Sequence, residues 1–383
     1  MTRTLILISP VYVAFFWMLV LVLHSKKSNG PKVFLGEFML VAFLLYLSHF
    51  FFFNHEFRIY LFFDPLYTAT SLAVYPMYYI YVRLLTRDRT FSFMLHFRYL
   101  LIPVFFYLLS IAGYLSLNEP KRFEYVTRVL TGYDNPQGEF MVPYIIYLAG
   151  RIVFIIQVVV YMALVNRLLR KYRIRIGNYY SDLRGRSLRW VSVMNILYFI
   201  ASVSSIALAI FGREEFLDNN VKLLFPSLVF SSLLFIIGYL GNRQKTPEPE
   251  RKETKIADAE LSENAKVNLE DRLRYLFETD RVYLIKDLKI TDVCNRLGTN
   301  RTYVSNIINK RFKMNFVSFV NQYRFRHAKN LLDSDPSITV EELTEKSGFG
   351  SVNSVYRSFQ VYERISLTRY RKMLESQSRG VKR

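Results

Sequence analysis

The sequence predicts an all-α protein, a seven-transmembrane-helix bundle followed by a polar domain built from two helix-turn-helix units. Three observations carry that prediction. Residues 1–240 are a series of seven long apolar runs. Composition changes abruptly at Gly241, where GNRQKTPEPERKETKIADAE has two prolines and no apolar periodicity. Beyond it, one helical pattern occurs twice, about fifty residues apart.

Composition bounds the partners. The 383 residues carry 51 Lys+Arg against 31 Asp+Glu, a net charge of +20, yet 51% are hydrophobic and 16% aromatic. With 33 Phe and 28 Tyr, a disordered chain is excluded. The positive charge asks for an anionic partner: nucleic acid, lipid headgroups or both. The single cysteine, Cys294, rules out an intrachain disulfide framework and a cysteine-rich metal site.

The apolar runs are Leu5–Leu23, Val33–Phe53, Ile59–Val82, Phe97–Leu117, Phe140–Val165, Leu188–Phe211 and Val221–Leu240. Each is long enough to cross a hydrocarbon core of roughly 30 Å as a helix. Ile59–Val82 is the weakest, because Asp64 and Pro65 interrupt it. The first run is read as a retained helix and not a signal peptide, since no small-x-small cleavage site follows Leu23.

Loop charge sets the orientation. His24–Lys32, Arg83–Arg98 and Asn166–Arg189 together hold 15 Lys/Arg, whereas the N-terminal tail and the three alternating loops hold 6. Positive residues stay inside, so the N-terminus is expected outside and the C-terminus in the cytoplasm. The eight cations of Asn166–Arg189 are read as topology and headgroup contacts. Polar residues within the runs are costly and candidate functional positions: Glu37, His49, Asp64, Arg151, Gln157 and Asn195. Asp64 and Arg151 are expected to pair in the outer third of the bundle, as a structural ion pair or a sensing site.

The domain organisation is therefore 1–240 for the membrane domain, 241–261 for a flexible linker and 262–383 for the polar domain. In the last, Asn264–Thr279 has helical apolar spacing. A short helix Thr291–Leu297 follows, broken by Gly298, and Asn300 caps a second helix with Val304, Ile307 and Ile308 inward. The second copy begins at Ile338. Val293 corresponds to Leu343, Gly298 to Gly348, Asn300 to Ser351, Val304 to Val355 and Ile308 to Phe359, with one inserted residue in the turn. Between the copies, Asn315 caps a helix striped by Phe316, Phe319, Val320, Tyr323, Ala328, Leu331 and Leu332, which Asp335–Pro336 ends. That helix suits a spacer holding two recognition helices near one turn of DNA apart, about 34 Å.

The segments LGTNRTYVSNIINKRFKMNFVSFVNQYRFRHAKNLL and the GFGS, YRSF and YRK series of Gly348–Lys372 resemble the AraC/XylS-type bipartite DNA-binding domain. The whole chain is similar in architecture to membrane-anchored members of that family. The sequence departs from the family's Gly-x-x-Pro before the final Tyr-Arg. Arg364 and Leu367 stand there, so the last helix is expected to start differently, while Tyr370-Arg371-Lys372 is kept.

The resemblance implies recognition helices at about 300–309 and 351–360. Positions Thr302, Ser305 and Asn306 would face base edges, and Asn306 suits adenine. Arg301 would meet a phosphate, as would Lys310, Arg311 and Lys313. On the second helix the reading positions match Val352, Asn353, Tyr356 and Arg357, with Arg357 suited to guanine or to two phosphate oxygens. Asn300 and Ser351 are read as caps, His327 as a surface residue of the linking helix and Cys294 as core.

A membrane-embedded transcription regulator accounts for both halves. The implied partners are double-stranded DNA and the lipid bilayer, with RNA polymerase, a second copy of the chain and an unidentified small-molecule or membrane signal as further candidates. The implied location is the bacterial inner (cytoplasmic) membrane, multi-pass, with the DNA-binding domain in the cytoplasm. The alternative is a transporter or receptor-like protein with a regulatory C-terminal domain, but the seven runs show no internal symmetry. No HExxH, GxSxG or P-loop is present, so no catalytic residue, cofactor or metal is expected. The charge divides accordingly: +11 in residues 1–240, −2 in 241–280 and +11 in 281–383.

Overall fold

The computed structural model describes residues 2–23, 30–86, 96–182, 189–211, 214–217, 220–243 and 263–380. Most of the expected linker, 244–261, lies outside them. The described residues are overwhelmingly helical, with one isolated antiparallel bridge between Tyr180 and Lys289. The chain forms two compact units. One comprises 1–170 and 188–250, the other 171–187 and 251–383.

The first unit contains α1 (Thr2–Leu23), α2 (Gly30–Phe53), α3 (Phe57–Thr86), α4 (Leu101–Leu115), the short α5 (Glu119–Glu124), most of α6 (Met141–Gly177), α7 (Arg189–Phe211) and α8 (Asn220–Asn242). Four of the seven apolar runs lie within one of these helices, and the other three, 97–117, 140–165 and 188–211, overlap one for most of their length. Five helical segments are long and apolar enough to cross a membrane: Thr2–Leu23, Gly30–Phe53, Arg98–Leu115, Gly138–Gly177 and Asn220–Asn242. Within α7, Val191–Ile206 is a shorter apolar stretch. In α3, Asp64, Arg83 and many tyrosines dilute the apolar character.

Packing explains the glycines of the bundle. α1 lies between α2 and α8. A Cβ at Gly238 of α8 would overlap the indole of Trp17, so only glycine lets these two helices approach so closely. One end is closed by a cluster of Phe52, Tyr60, Tyr114, Tyr125, Val126 and Leu217. Here the sequence reading expects only a loop over 118–139. Asn118 instead caps α5 by accepting from the Lys121 N–H at 3.1 Å. Arg122 then donates Nε to the carbonyls of Tyr114 and Leu117, at 2.7 and 2.8 Å, which the end of α4 leaves open.

The largest departure from expectation is α6. The sequence reading ends that helix at Val165, but it continues for twelve more residues to Gly177. Residues 166–176 contain no Gly or Pro and are rich in Arg, Leu and Lys, which are good helix formers. At 37 residues α6 is roughly 55 Å long.

The second unit contains α9 (Glu263–Glu278), α10 (Ile290–Leu297), α11 (Arg301–Lys310), α12 (Phe316–Ser334), α13 (Val340–Lys346), α14 (Val352–Tyr362) and α15 (Leu367–Gly380). α10–α11 and α13–α14 are the two helix-turn-helix pairs, and α12 joins them. Gly298 and Gly348 both adopt left-handed backbone, with φ of 63° and 73°. The apolar face of α12 serves both pairs. Toward the first, Phe319 meets Phe277 and Phe312 with ring centroids 4.8 Å apart. Toward the second, Phe325, Ala328 and Leu332 join Leu343, Phe349, Val355, Phe359 and Leu367.

Two features of the second pair bear on its departure from the family pattern. Arg364 has φ of 60°, the backbone a glycine adopts without strain. The last helix nevertheless starts at Leu367, a buried first-turn residue at a position that also favours proline. Ser366 Oγ accepts from the Arg369 N–H at 3.2 Å. Tyr370 then donates to Asp333 Oδ1 of α12 at 2.6 Å, tying α15 to the linking helix.

Candidate nucleic-acid interface

Helices α11 and α14 are presented alike. Asn300 Oδ1 accepts from the Tyr303 N–H at 3.1 Å, and Ser351 Oγ accepts from the Ser354 N–H at 3.3 Å. Each cap satisfies an N–H that a helix start leaves open. α13 is fixed by a reciprocal cap, in which Thr339 Oγ1 accepts from the Glu342 N–H while Glu342 accepts from the Thr339 N–H. With Val304, Ile307 and Ile308 buried on α11, and Val355, Ser358 and Phe359 buried on α14, each helix turns its remaining residues outward.

Those outward residues are the predicted ones. Thr302, Asn306, Lys310 and Arg311 are exposed on or beside α11, and Arg301 and Ser305 are half-buried. On α14, Asn353, Tyr356 and Arg357 are exposed. Three have partners within the chain. Asn309 Nδ2 donates to Ser305 Oγ at 3.1 Å. Arg311, itself exposed, lies 3.5 Å from the half-buried Glu270 of α9. The Arg301 guanidinium lies over the Tyr179 ring, 4.8 Å from its centroid.

Residues 293–373 match the family described as a helix-turn-helix domain. An uncharacterized HTH-type transcriptional regulator of Bacillus subtilis (strain 168), YtdP, is 29% identical over 90 residues, covering 24% of this chain. The match spans only 12% of that regulator's length. No solved structure matches the chain.

The sequence reading misses two residues groups around this face. The first is the segment carrying Tyr179. Expected as a basic loop of the membrane domain, residues 171–187 belong to the second unit. Ser181 N–H donates to Leu288 O at 3.1 Å, and Ile290 N–H donates to Tyr179 O at 3.0 Å. Tyr179, Tyr180 and Ser181 are all buried. Two tyrosines among cations were the available signal, since a purely solvated or headgroup-facing loop has no need to bury them.

The second is Arg324 of α12, which is 1% exposed. Its Nε donates to Tyr283 O at 2.7 Å, and its Nη2 donates to Ile285 O at 2.6 Å and reaches Ser181 Oγ at 3.4 Å. One guanidinium thus gathers the carbonyls of Tyr283, Ile285 and Lys286 and touches Ser181 of the 171–187 segment. Buried polar groups demand such partners. His327, expected at the surface, is half-buried edge-on to Tyr283, with centroids 5.9 Å apart. Burial and the nearby Arg281 charge push its pKa below the ordinary histidine value.

Of the predicted membrane site, Asp64 is buried and accepts from Tyr60 Oη at 2.5 Å, one turn earlier on α3. Arg151 lies over the Tyr147 ring, 5.4 Å from its centroid. Among the described residues no ion pair joins Asp64 to Arg151.

Proposed function

We propose that this chain is a membrane-embedded, sequence-specific transcription regulator that contacts double-stranded DNA through α11 and α14. The observation that carries the DNA-binding part is the repeated presentation of two capped helices, each with its apolar side buried and a polar, cationic side outward. Asn306, Thr302 and Ser305 on α11, with Asn353, Tyr356 and Arg357 on α14, are the base-reading candidates. Arg301, Lys310 and Arg311 serve phosphates. α12, roughly 28 Å long for its 19 residues, is the spacer between the two half-sites.

Membrane embedding is supported by the outward faces of the first unit. Phe62 is 85% exposed and Phe225 68%, and large apolar residues recur outward along α1, α4, α6, α7 and α8. A water-soluble domain does not carry so much contiguous apolar surface, whereas hydrocarbon is its natural solvent. The proposed orientation puts the N-terminus outside and the DNA-binding domain in the cytoplasm. A signal sensed in the membrane domain would then control DNA binding.

Selection of duplexes from a random pool on the full chain, reconstituted in lipid nanodiscs, tests the DNA claim. Enrichment of a motif with two half-sites is expected, and failure to enrich any motif at moderate salt overturns it. For topology, Gly138→Cys in a Cys294→Ser background is expected to react with an impermeant maleimide on intact cells. Reaction only after permeabilisation would reverse the orientation.

A further inference from the structure

The first unit holds a cavity of about 220 Å³ between α1, α2, α3, α6, α7 and α8. Its walls are mainly aromatic and aliphatic. From α6 they include Tyr147, Gly150, Arg151 and Phe154, whose spacing of three and four residues sets them on one face of the helix. Arg151 is ten residues from Met141, the first residue of α6. At 1.5 Å per residue that is roughly 15 Å along the axis, about half of a hydrocarbon core.

A guanidinium at that depth is costly, and it cannot shed its charge by deprotonation. Among the described residues Arg151 has the Tyr147 ring beside it and no carboxylate. Asp64, the acid the sequence offers, is held by Tyr60 on its own helix. A second polar group of the same cavity is also unmet. The Tyr198 hydroxyl is buried and has no hydrogen-bond partner among the described residues. One permanent cation therefore lines a mainly apolar chamber whose other polar side chains, His49, Thr68, Ser71, Ser205 and Ser227 among them, carry no permanent charge.

We infer that this cavity is a binding site for a small amphipathic acid, a single carboxylate on an apolar body, with Arg151 as its counter-ion. The carboxylate matches the planar, two-pronged donor edge of a guanidinium. The aromatic walls match an apolar body. A cavity of about 220 Å³ favours a small ligand over a whole two-chain phospholipid. A monoalkyl or monocyclic acid is of the right size. The inference rests on the reading of α6 as membrane-spanning, and supplies the class of signal left open above.

The test uses the full chain in nanodiscs of zwitterionic lipid, with radiolabelled octanoate as probe and octan-1-ol as its uncharged counterpart. Saturable binding of one octanoate per chain is expected, with octan-1-ol competing at least tenfold less well. Arg151→Gln is expected to weaken octanoate binding at least tenfold, and Arg151→Lys to restore most of it. Equal competition by octan-1-ol in the unmodified chain, needing no variant, would overturn the inference. So would unchanged binding by Arg151→Gln, or no saturable binding. A chain recovered soluble and monodisperse without lipid would overturn the membrane reading and this inference together. DNA selection on the same preparation separates the remaining case: octanoate bound without any enriched motif leaves this site standing and removes the DNA-binding claim.

Discussion

The Tyr179 ring lies beneath the guanidinium of Arg301, the first residue of the first recognition helix, with 4.8 Å between charge centre and ring centroid. This contact ties the Arg301 side chain to the 171–182 segment, and under the proposed function it would help hold Arg301 in place for a phosphate. Tyr179→Ala is expected to weaken DNA binding roughly two- to fivefold on all sequences alike, the equivalent of about 0.5–1 kcal/mol. Tyr179→Phe keeps the stack and should bind as the unmodified chain does. Fluorescence anisotropy at fixed salt measures both. Tighter binding by Tyr179→Ala would make the segment a clamp on the helix.

Asn306 and Arg357 are exposed on α11 and α14. Replacing either by Ala should cost about 1–3 kcal/mol at one position of the selected site and relax the base preference there. A loss spread evenly over all sequences would mark a phosphate contact instead, accompanied by a shallower dependence of affinity on salt.

Three left-handed residues in the second unit make different demands. A Cβ at Gly298 meets open space, whereas one at Gly348 would come within 2.7 Å of the Leu284 backbone. Gly298→Ala should therefore cost only the conformational penalty, about 1–2 kcal/mol, and Gly348→Ala distinctly more. Arg364 has φ of 60° with a side chain in place. Arg364→Gly should relieve that strain and raise stability by up to about 1 kcal/mol. Urea midpoints from pulse proteolysis of the C-terminal unit give the order. Arg364→Gly falling below the unmodified chain would contradict it.

His327 has a folded pKa below its unfolded value, because burial and Arg281 disfavour the charged ring. The unfolded chain then binds more protons at mildly acid pH, so stability falls as pH drops through the ordinary value of 6.5. The same proteolysis assay at pH 7.5 and pH 5.5 should show a loss that His327→Gln reduces. An equal loss in that variant would assign the dependence to other groups.

Much of the second unit was legible in the sequence because its signals are local. Asn300, Ser351 and Asn315 cap their helices, Gly298 and Gly348 mark the turns, and the apolar periodicity of α10 to α14 is that of the observed cores. What escaped depends on distance along the chain. Nothing local marks Arg324 as buried, because its acceptors, the carbonyls of Tyr283 and Ile285, lie some forty residues earlier. Residues 171–187 read as a headgroup loop until Leu288 and Ile290 supply backbone partners. Asp64 and Arg151 suggested a pair by charge alone, and a tyrosine four residues from Asp64 was the nearer partner.

The 171–187 segment gives the C-terminal unit two moorings, one covalent and one not. The covalent one runs through residues 244–262, where a cut would ordinarily set a tethered regulator free. Here such a cut would leave residues 263–383 still gripped by the Tyr180–Lys289 bridge, the buried tyrosines and Arg324. Severing residues 244–262 alone would turn one chain into a two-chain complex, and escape of the C-terminal fragment would be governed by how fast that grip loosens.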